Sequence, residues 1–210
     1  MTIKLIGSSS GSVSLQAPAS TSGGANRVLT LPDVDGTVAT TTTAGKVLQV
    51  VQTVKSNTYS EAFSNSTSSA SCGLDVNITP SATTSKILIM AQANVSNSDL
   101  IDTTCGVILF RGGSILTGAI ADADGNRQRI SSQSYTPYTG NQGSGYKVVA
   151  IPFDYLDSPN STSQQTYSIR LRYNTTSSSE TVYLNRTKDN DNQYYRDRSI
   201  STITAMEIAA

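Results

Sequence analysis

The sequence predicts an all-β fold, an antiparallel jelly-roll sandwich preceded by an extended N-terminal β segment. The chain of 210 residues holds 32 serines and 27 threonines but three glutamates. Threonine favours strands and serine favours turns, whereas exposed helices usually carry glutamate, lysine and alanine. From residue 46 onward, short runs of β-branched, leucine and tyrosine residues recur between turn signals. Eight or nine strands at this spacing are typical of an antiparallel sandwich or jelly roll.

Residues 1–45 form the first predicted part, an extended segment distinct from the head domain at 46–210. Val13–Pro18 alternates apolar and polar residues, and Val28–Pro32 nearly does, with Gly/Ser-rich linkers between such runs. The segment has too few large apolar side chains to fold alone. We expect it to be ordered by copies of itself or by another protein, the alternative being a flexible tail.

The head domain begins with two predicted strands. In Lys46–Val54 the apolar spacing also fits a helix, but four valines favour a strand because β-branching restricts side chains in helices. Cys72–Pro80 places Leu74, Val76 and Ile78 on one face, and the proline ends the strand.

The next predicted strands are more apolar. Lys86–Val95 and Gly106–Arg111 contain nearly continuous apolar runs, as in strands buried on both faces. Gly112-Gly113 then marks a turn, and Ser114–Ala121 is predicted to be the strand that follows it.

The last strands complete the predicted sandwich. Gly145–Leu156 contains Pro152, which indicates an edge strand or a bulge. Thr166–Asn174 alternates apolar or aromatic residues with polar ones, which gives four inward positions. Thr181–Arg186 is predicted to be a short strand. Ser201–Ile208 is predicted to be a central strand at the end of the chain. Its inward residues are Ile203, then either Ala205 or Met206, and finally Ile208. The inward positions of the alternating strand are Tyr167, Ile169, Leu171 and Tyr173.

Charge and composition exclude several partners and locations. The net charge is zero with no basic run, so nucleic-acid binding is not expected. No apolar stretch reaches the ~18 residues of a membrane span or the ~7 of a signal-peptide core, so membrane insertion and secretion are not expected. Cys72 and Cys105 lie in apolar contexts and are predicted to be buried free thiols, with a disulfide as the alternative.

The residues for catalysis or metal binding are sparse. No histidine is present, which removes histidine-dependent hydrolases and histidine-ligated metals. Asp154 with Asp157, or Asp122 with Asp124, are the carboxylate pairs open to glycoside hydrolysis, yet both lie in turn-like sequence. The run from Asp122 to Asn126 begins like a calcium loop but lacks its later ligands, so a hairpin turn at Asp124-Gly125 is expected. The sequence predicts no enzyme, catalytic residue, cofactor or metal.

Three segments carry a family resemblance. They are GSVSLQAPASTSGGANRVLTLPDVDGTVAT from Gly11, GLDVNITPSATTSKILIMAQANV from Gly73 and VYLNRTKDNDNQYYRDRSISTITAMEIA from Val182. The first resembles N-terminal segments of tail-fibre and other virion proteins of bacteriophages, especially marine ones. The other two resemble the jelly-roll head of the same proteins. The resemblance implies a homotrimeric head similar to C1q and tumour necrosis factor domains, and attachment of residues 1–45 to another virion protein.

The expected function is therefore that of a virion component made in the host cytoplasm, a tail fibre or appendage whose head binds host-surface glycans. A capsid decoration, head-fibre or connector protein that binds no receptor is the alternative. Tyrosine rings can stack on sugars, and amide side chains can hydrogen-bond to sugar hydroxyls. The candidate receptor contacts are Tyr135, Tyr138, Asn141, Gln142, Asn190, Asn192, Gln193, Tyr194 and Tyr195.

Overall fold

The computed structural model describes residues 2–6, 12–16, 46–64, 69–98, 103–136, 147–173 and 180–210. The chain divides into two compact units, Met1–Ala44 and Gly45–Ala210. In the first unit, β1 (Thr2–Ile6) and β2 (Ser12–Gln16) pair antiparallel, with Thr2 opposite Gln16 and Ile6 opposite Ser12. The predicted runs near Val28 and Val38 lie outside the described residues.

The second unit is an all-β sandwich of two antiparallel sheets, compatible with a jelly roll. The six-stranded sheet has the order β3-β13-β6-β12-β4, and β10 also pairs with β6. The five-stranded sheet has the order β5-β11-β7-β8, and β9 also pairs with β7. The strands are β3 (Val47–Lys55), β4 (Tyr59–Phe63), β5 (Ala70–Ile78), β6 (Lys86–Asn97), β7 (Thr103–Arg111), β8 (Ser114–Ile115), β9 (Ser132–Thr136), β10 (Val149–Asp157), β11 (Gln165–Tyr173), β12 (Glu180–Leu184) and β13 (Ser201–Ile208).

Strand β6 organises the six-stranded sheet because it is long enough to pair with three other strands. On one side it pairs with β10, from Ile87 to Val95. Its other side is shared, first by β13 along residues 86–92 and then by β12 along residues 95–97. The chain end, β13, therefore lies centrally between β3 and β6, as the sequence predicts.

The core between the sheets is built from alternating positions, as expected for strands with one face inward. All four inward positions predicted on β11 are at most 1% exposed, which confirms the prediction. The same alternation buries Leu74, Val76 and Ile78 on β5 and Ile203 and Ala205 on β13. Met206 is only half-buried, on the other face of β13, so Ala205 and not Met206 is the inward residue. The prediction that Ile208 points inward is wrong, because Glu207 takes the buried position and Ile208 is half-buried.

The outward side of β7, in the five-stranded sheet, is also covered. Ile108 and Phe110 on β7 point away from the core, yet they are only 1% and 5% exposed. A Cβ on Gly106 of the same face would lie 3.0 Å from Cδ1 of Ile130, so the segment between β8 and β9 crosses this face. The prediction that Gly106–Arg111 is buried on both sides is confirmed.

Three strand predictions need correction. Ser114–Ala121 is not one strand, because β8 stops at Ile115 and Thr117–Ala119 forms a 3₁₀ turn. Two strands of the head domain, β4 and β9, were not predicted, since Glu61 interrupts the apolar alternation of β4 and β9 consists mostly of polar residues. Lys86–Val95 is not buried on both faces, because Met90 is 41% exposed. Pro152 does lie on an edge strand, since β10 pairs with β6 alone among the described residues.

Candidate functional site

The connection between β12 and β13, residues 185–200, is called the Tyr194 loop. It leaves β12 through Asn185, whose φ of 61° is a left-handed conformation that asparagine tolerates better than most residues. The Asn185 side chain is fully buried, and its Nδ2 donates to the backbone oxygens of Lys55 at 2.7 Å and Asn57 at 3.1 Å. The loop therefore starts from a fixed point on the sandwich.

The base of the loop is closed by an antiparallel bridge between Arg186 and Arg198. The Arg186 guanidinium lies 4.0 Å from the ring centroid of Tyr183, and its Nη1 donates to the backbone oxygen of Lys188 at 2.9 Å. Nη2 of Arg198 donates to Oδ1 of Asn190 at 3.1 Å. Both arms of the loop are thus joined by backbone and side-chain contacts.

The interior of the loop is organised by Arg196. Its side chain is 9% exposed and forms ion pairs with Asp189 at 2.9 Å and Asp191 at 2.8 Å. Its backbone nitrogen donates to the Gln193 oxygen at 3.0 Å, which closes a turn. One guanidinium therefore holds two carboxylates of the loop. These charge-assisted contacts fix the conformation of a loop that has few apolar contacts.

The two tyrosines of the loop differ in exposure. Tyr194 is 94% exposed, while Tyr195 is 42% exposed and lies beneath the Arg196 guanidinium at 5.2 Å. Their rings meet edge to face with centroids 5.1 Å apart. The loop thus presents one projecting ring supported by a second, anchored ring.

The structure brings five of the predicted contact residues together in this loop. Asn190, Asn192 and Gln193 are exposed beside the tyrosine pair. Tyr135 lies on β9, in the other sheet. Tyr138, Asn141 and Gln142 lie outside the described residues. Receptor contact by these nine residues stays a prediction.

A second surface, called the apolar face, is the outward side of the six-stranded sheet. A row of apolar side chains crosses four neighbouring strands in register, from β3 through β13 and β6 to β10. The row consists of Val50, Met206, Leu88 and Leu156, of which Val50 is 55% and Leu156 is 47% exposed. Met90 and Val54 extend the surface at 41% and 51% exposure.

A shallow groove of about 450 Å³ runs along the apolar face. Its walls come from β6, β10 and β13, and Asp154 is the one charged residue among those lining it. On β3 the four valines of Lys46–Val54 predicted a strand but did not indicate which of its faces is exposed. Sequence reasoning missed the face because the sheet order that aligns these residues is non-local.

The first carboxylate pair considered for hydrolysis, Asp154 and Asp157, is divided between the two faces of β10. Asp154 is exposed on the outward side of β10, whereas Asp157 is 5% exposed and points inward. Asp157 accepts hydrogen bonds from Nη1 of Arg111 at 2.5 Å and from the Tyr167 hydroxyl at 2.7 Å. Asp157 is therefore a buried carboxylate whose hydrogen-bonding capacity is satisfied inside the sandwich.

The second carboxylate pair lies in an exposed turn. Asp124 pairs with Arg127 at 2.8 Å, and the Arg127 nitrogen donates to the Asp124 oxygen at 3.1 Å. The turn therefore centres on Gly125 and Asn126, one residue later than predicted, and the predicted hairpin is not formed because no described strand flanks the turn.

The two thiols are free and buried, as predicted. Burial raises the pKa of Cys72 to about 11 and that of Cys105 to about 12. Both sulfurs are therefore protonated and poorly nucleophilic at neutral pH. In the described part of the chain, no helix is long and apolar enough to cross a membrane.

Comparisons with known proteins give limited information. No protein family and no curated protein matches the chain. A mutant VP2 protein of infectious bursal disease virus, in derived T=1 particles, is similar in structure with a TM-score of 0.37 and 12% identity, covering 95% of this chain and 43% of that one. The structure of the Gt strain of the same virus has a TM-score of 0.37 and 13% identity, covering 98% of this chain and 46% of that one. The chain spans less than half of these proteins, and likeness at this level supports no functional conclusion.

Proposed function

We propose that this protein is a non-enzymatic structural component of a bacteriophage particle, a tail fibre or appendage that self-associates through its apolar face. The observation that carries the proposal is the in-register apolar row across four strands, with about half of the Val50 and Leu156 surface exposed. Monomeric soluble proteins rarely leave large contiguous apolar patches in water. The resemblance of the sequence to phage fibre heads agrees with this interpretation.

A second copy of this chain is the occupant that fits the apolar face best. The residues lining its groove include one charged side chain, Asp154, so a strongly acidic or basic partner would find no complement there. The chain itself has zero net charge, and copies therefore meet without long-range repulsion. A closed cyclic trimer would bury the row in each subunit. Residues 1–45 would then join the trimer to another virion protein.

The test is the mass of the full chain in solution, by light scattering after size exclusion. We expect about three times the 22.1 kDa of one chain. Leu88→Glu places a charge in the middle of the row and is expected to yield monomers that keep the wild-type circular dichroism spectrum. Ile115→Glu, on an exposed residue of the other sheet, is the matched control and should remain trimeric. A monomeric wild-type protein would refute self-association.

The proposed receptor site is the Tyr194 loop. The projecting Tyr194 ring offers an apolar plane for a sugar, and the neighbouring amides offer donors and acceptors for its hydroxyls. We expect binding to polysaccharides of the host surface on glycan arrays, with Tyr194→Ala reducing it at least about tenfold. Ile115→Ala removes an exposed apolar side chain of the other sheet and serves as the control. Unchanged binding by Tyr194→Ala would remove the loop from the receptor site.

A further inference from the structure

Arg186 and Arg198 form an unfavourable pair at the base of the Tyr194 loop. They are the two partners of an antiparallel bridge, and side chains directly opposite in such a bridge lie on the same side, about 5 Å apart at Cβ. Like charges in that position destabilise the pairing. Burial lowers the pKa of the Arg186 guanidinium, and the positive charge of Arg198 lowers it further.

The neighbouring carboxylates do not relieve this repulsion. In the described part of the loop, the ion pairs of Asp189 and Asp191 both go to Arg196. Neither Arg186 nor Arg198 has a carboxylate within ion-pair distance among the described residues. Asp197, next to Arg198 in the sequence, forms no ion pair with either arginine among the described residues. Two guanidinium groups therefore share one side of the loop base without a counter-charge.

Existing contacts hold both groups in place without neutralising them. Arg186 contacts the Tyr183 ring and donates hydrogen bonds to backbone oxygens. All of its described hydrogen bonds come from Nη1. The partner of Arg198 is the neutral amide of Asn190. Guanidinium groups fixed this way are preorganised to bind a planar carboxylate through paired N–H donors.

We propose that Arg186 and Arg198 bind the carboxylate of an acidic sugar, whose ring contacts the tyrosine pair of the same loop. The proposal rests on the proposed glycan-binding function and names its ligand class. Asn190 joins the two halves of the site, because it contacts Arg198 and lies in the sequence between Asp189 and Asp191, the two carboxylates that hold Arg196 over the Tyr195 ring. An anion bound here would offset the like-charge repulsion, so binding is expected to weaken as salt rises.

The test compares polyglucuronate with a neutral glucan, using isothermal titration calorimetry on the full chain. Wild type is expected to bind polyglucuronate at least about tenfold more tightly than the neutral polymer at low salt. Arg198→Gln should lose that preference while keeping a donor for Asn190. Arg127→Gln is the control, because it removes the same charge from an exposed side chain in a different loop. Equal effects of the two substitutions would overturn the proposal by showing only a net-charge effect.

The remaining outcomes separate this inference from the proposed function. If Tyr194→Ala weakens both polymers and Arg198→Gln neither, the loop binds glycans but the carboxylate site is refuted. If no polymer binds, glucuronate and inorganic sulfate are titrated separately while backbone amide resonances are followed. Shifts at residues 186 and 198 with glucuronate, absent in Arg198→Gln, would support the site and refute polysaccharide binding. Shifts with sulfate alone, or none, would overturn the proposal.

Discussion

The Ser201 hydroxyl donates a 2.6 Å hydrogen bond to Oδ1 of Asn185, and both residues are fully buried. Ser201 opens β13 and Asn185 follows β12, so the bond closes the base of the Tyr194 loop from inside. The same hydroxyl accepts from the Asn94 backbone nitrogen at 2.9 Å. Together with the bonds from Asn185 to the bend between β3 and β4, this cluster fixes the point where β12 and β13 share β6.

The first prediction is that Asn185→Ala destabilises the protein by about 3 kcal/mol or more. The change removes the donor of two part-buried hydrogen bonds to the Lys55 and Asn57 carbonyls and leaves the buried Ser201 hydroxyl without its acceptor, which together cost about 2 kcal/mol or more. It also forces alanine into a left-handed conformation, which costs about 1 kcal/mol. Urea unfolding of wild type and variant at equal protein concentration measures the difference.

Asn160→Ala is the matched control for this prediction. Asn160 also has positive φ, 52°, but it lies in an exposed turn. Its replacement should cost about 1 kcal/mol, the backbone contribution alone. Equal costs at both positions would mean that the hydrogen bonds of Asn185 add nothing to stability.

The second prediction concerns the ion pair of Arg111 and Asp157. Asp157 is almost fully buried while Arg111 is 30% exposed, so Arg111→Met leaves a buried carboxylate with only the Tyr167 hydroxyl. We expect a loss of about 2 kcal/mol, below the range for fully buried pairs because Arg111 reaches solvent. Adding Asp157→Asn should recover part of the loss, since the uncompensated charge is gone.

A second double-mutant cycle, on Arg127 and Asp124, provides the comparison. That pair has a similar distance, 2.8 Å, but side chains 83% and 64% exposed. Its coupling energy should stay below about 0.5 kcal/mol. Coupling of the same size in both cycles would argue against a role for burial in the Arg111–Asp157 pair.

The sequence predicts most of the sandwich because its strong strands signal themselves locally. Alternation on β5 and β11 and continuous apolar residues on β7 read directly as inward faces. Strands β4 and β9 were missed because Glu61 interrupts the short apolar alternation of β4 and because β9 consists mostly of polar residues. Their pairing with β12 and β7 is a tertiary effect that no local window carries.

The site was only partly predictable for the same reason. Exposed tyrosines next to amides in 190–195 suggested a contact loop, and the residues are indeed exposed. The contacts at the ends of the loop were not predicted. The charged residues at 196–198 carry no sequence pattern that assigns partners, and in the structure Arg196 pairs with Asp189 and Asp191 of its own loop. The bridge between Arg186 and Arg198 depends on strand geometry and had no sequence signal.

The third prediction is a pH-dependent contribution from Glu207, whose carboxylate lies 1% exposed on β13. Burial alone raises the pKa of this group, but hydrogen bonds from Ser81, Ser85 and Gln49 outweigh it and lower the pKa to about 2. The backbone nitrogen and the hydroxyl of Ser81 donate to Oε1 at 2.7 and 2.6 Å, and Nε2 of Gln49 donates to Oε2 at 2.6 Å.

Because the folded pKa lies below the unfolded value of ~4.3, the ionised form favours the folded state. The contribution is fully present above about pH 5 and is lost as the pH falls towards 2. Glu207→Gln should therefore be less stable than wild type by up to about 3 kcal/mol at pH 7, with the gap narrowing as the pH falls. Urea unfolding at pH 7, 4 and 3 measures this gap. A gap that is constant across that range would show that the carboxylate is not held in its ionised form by these donors.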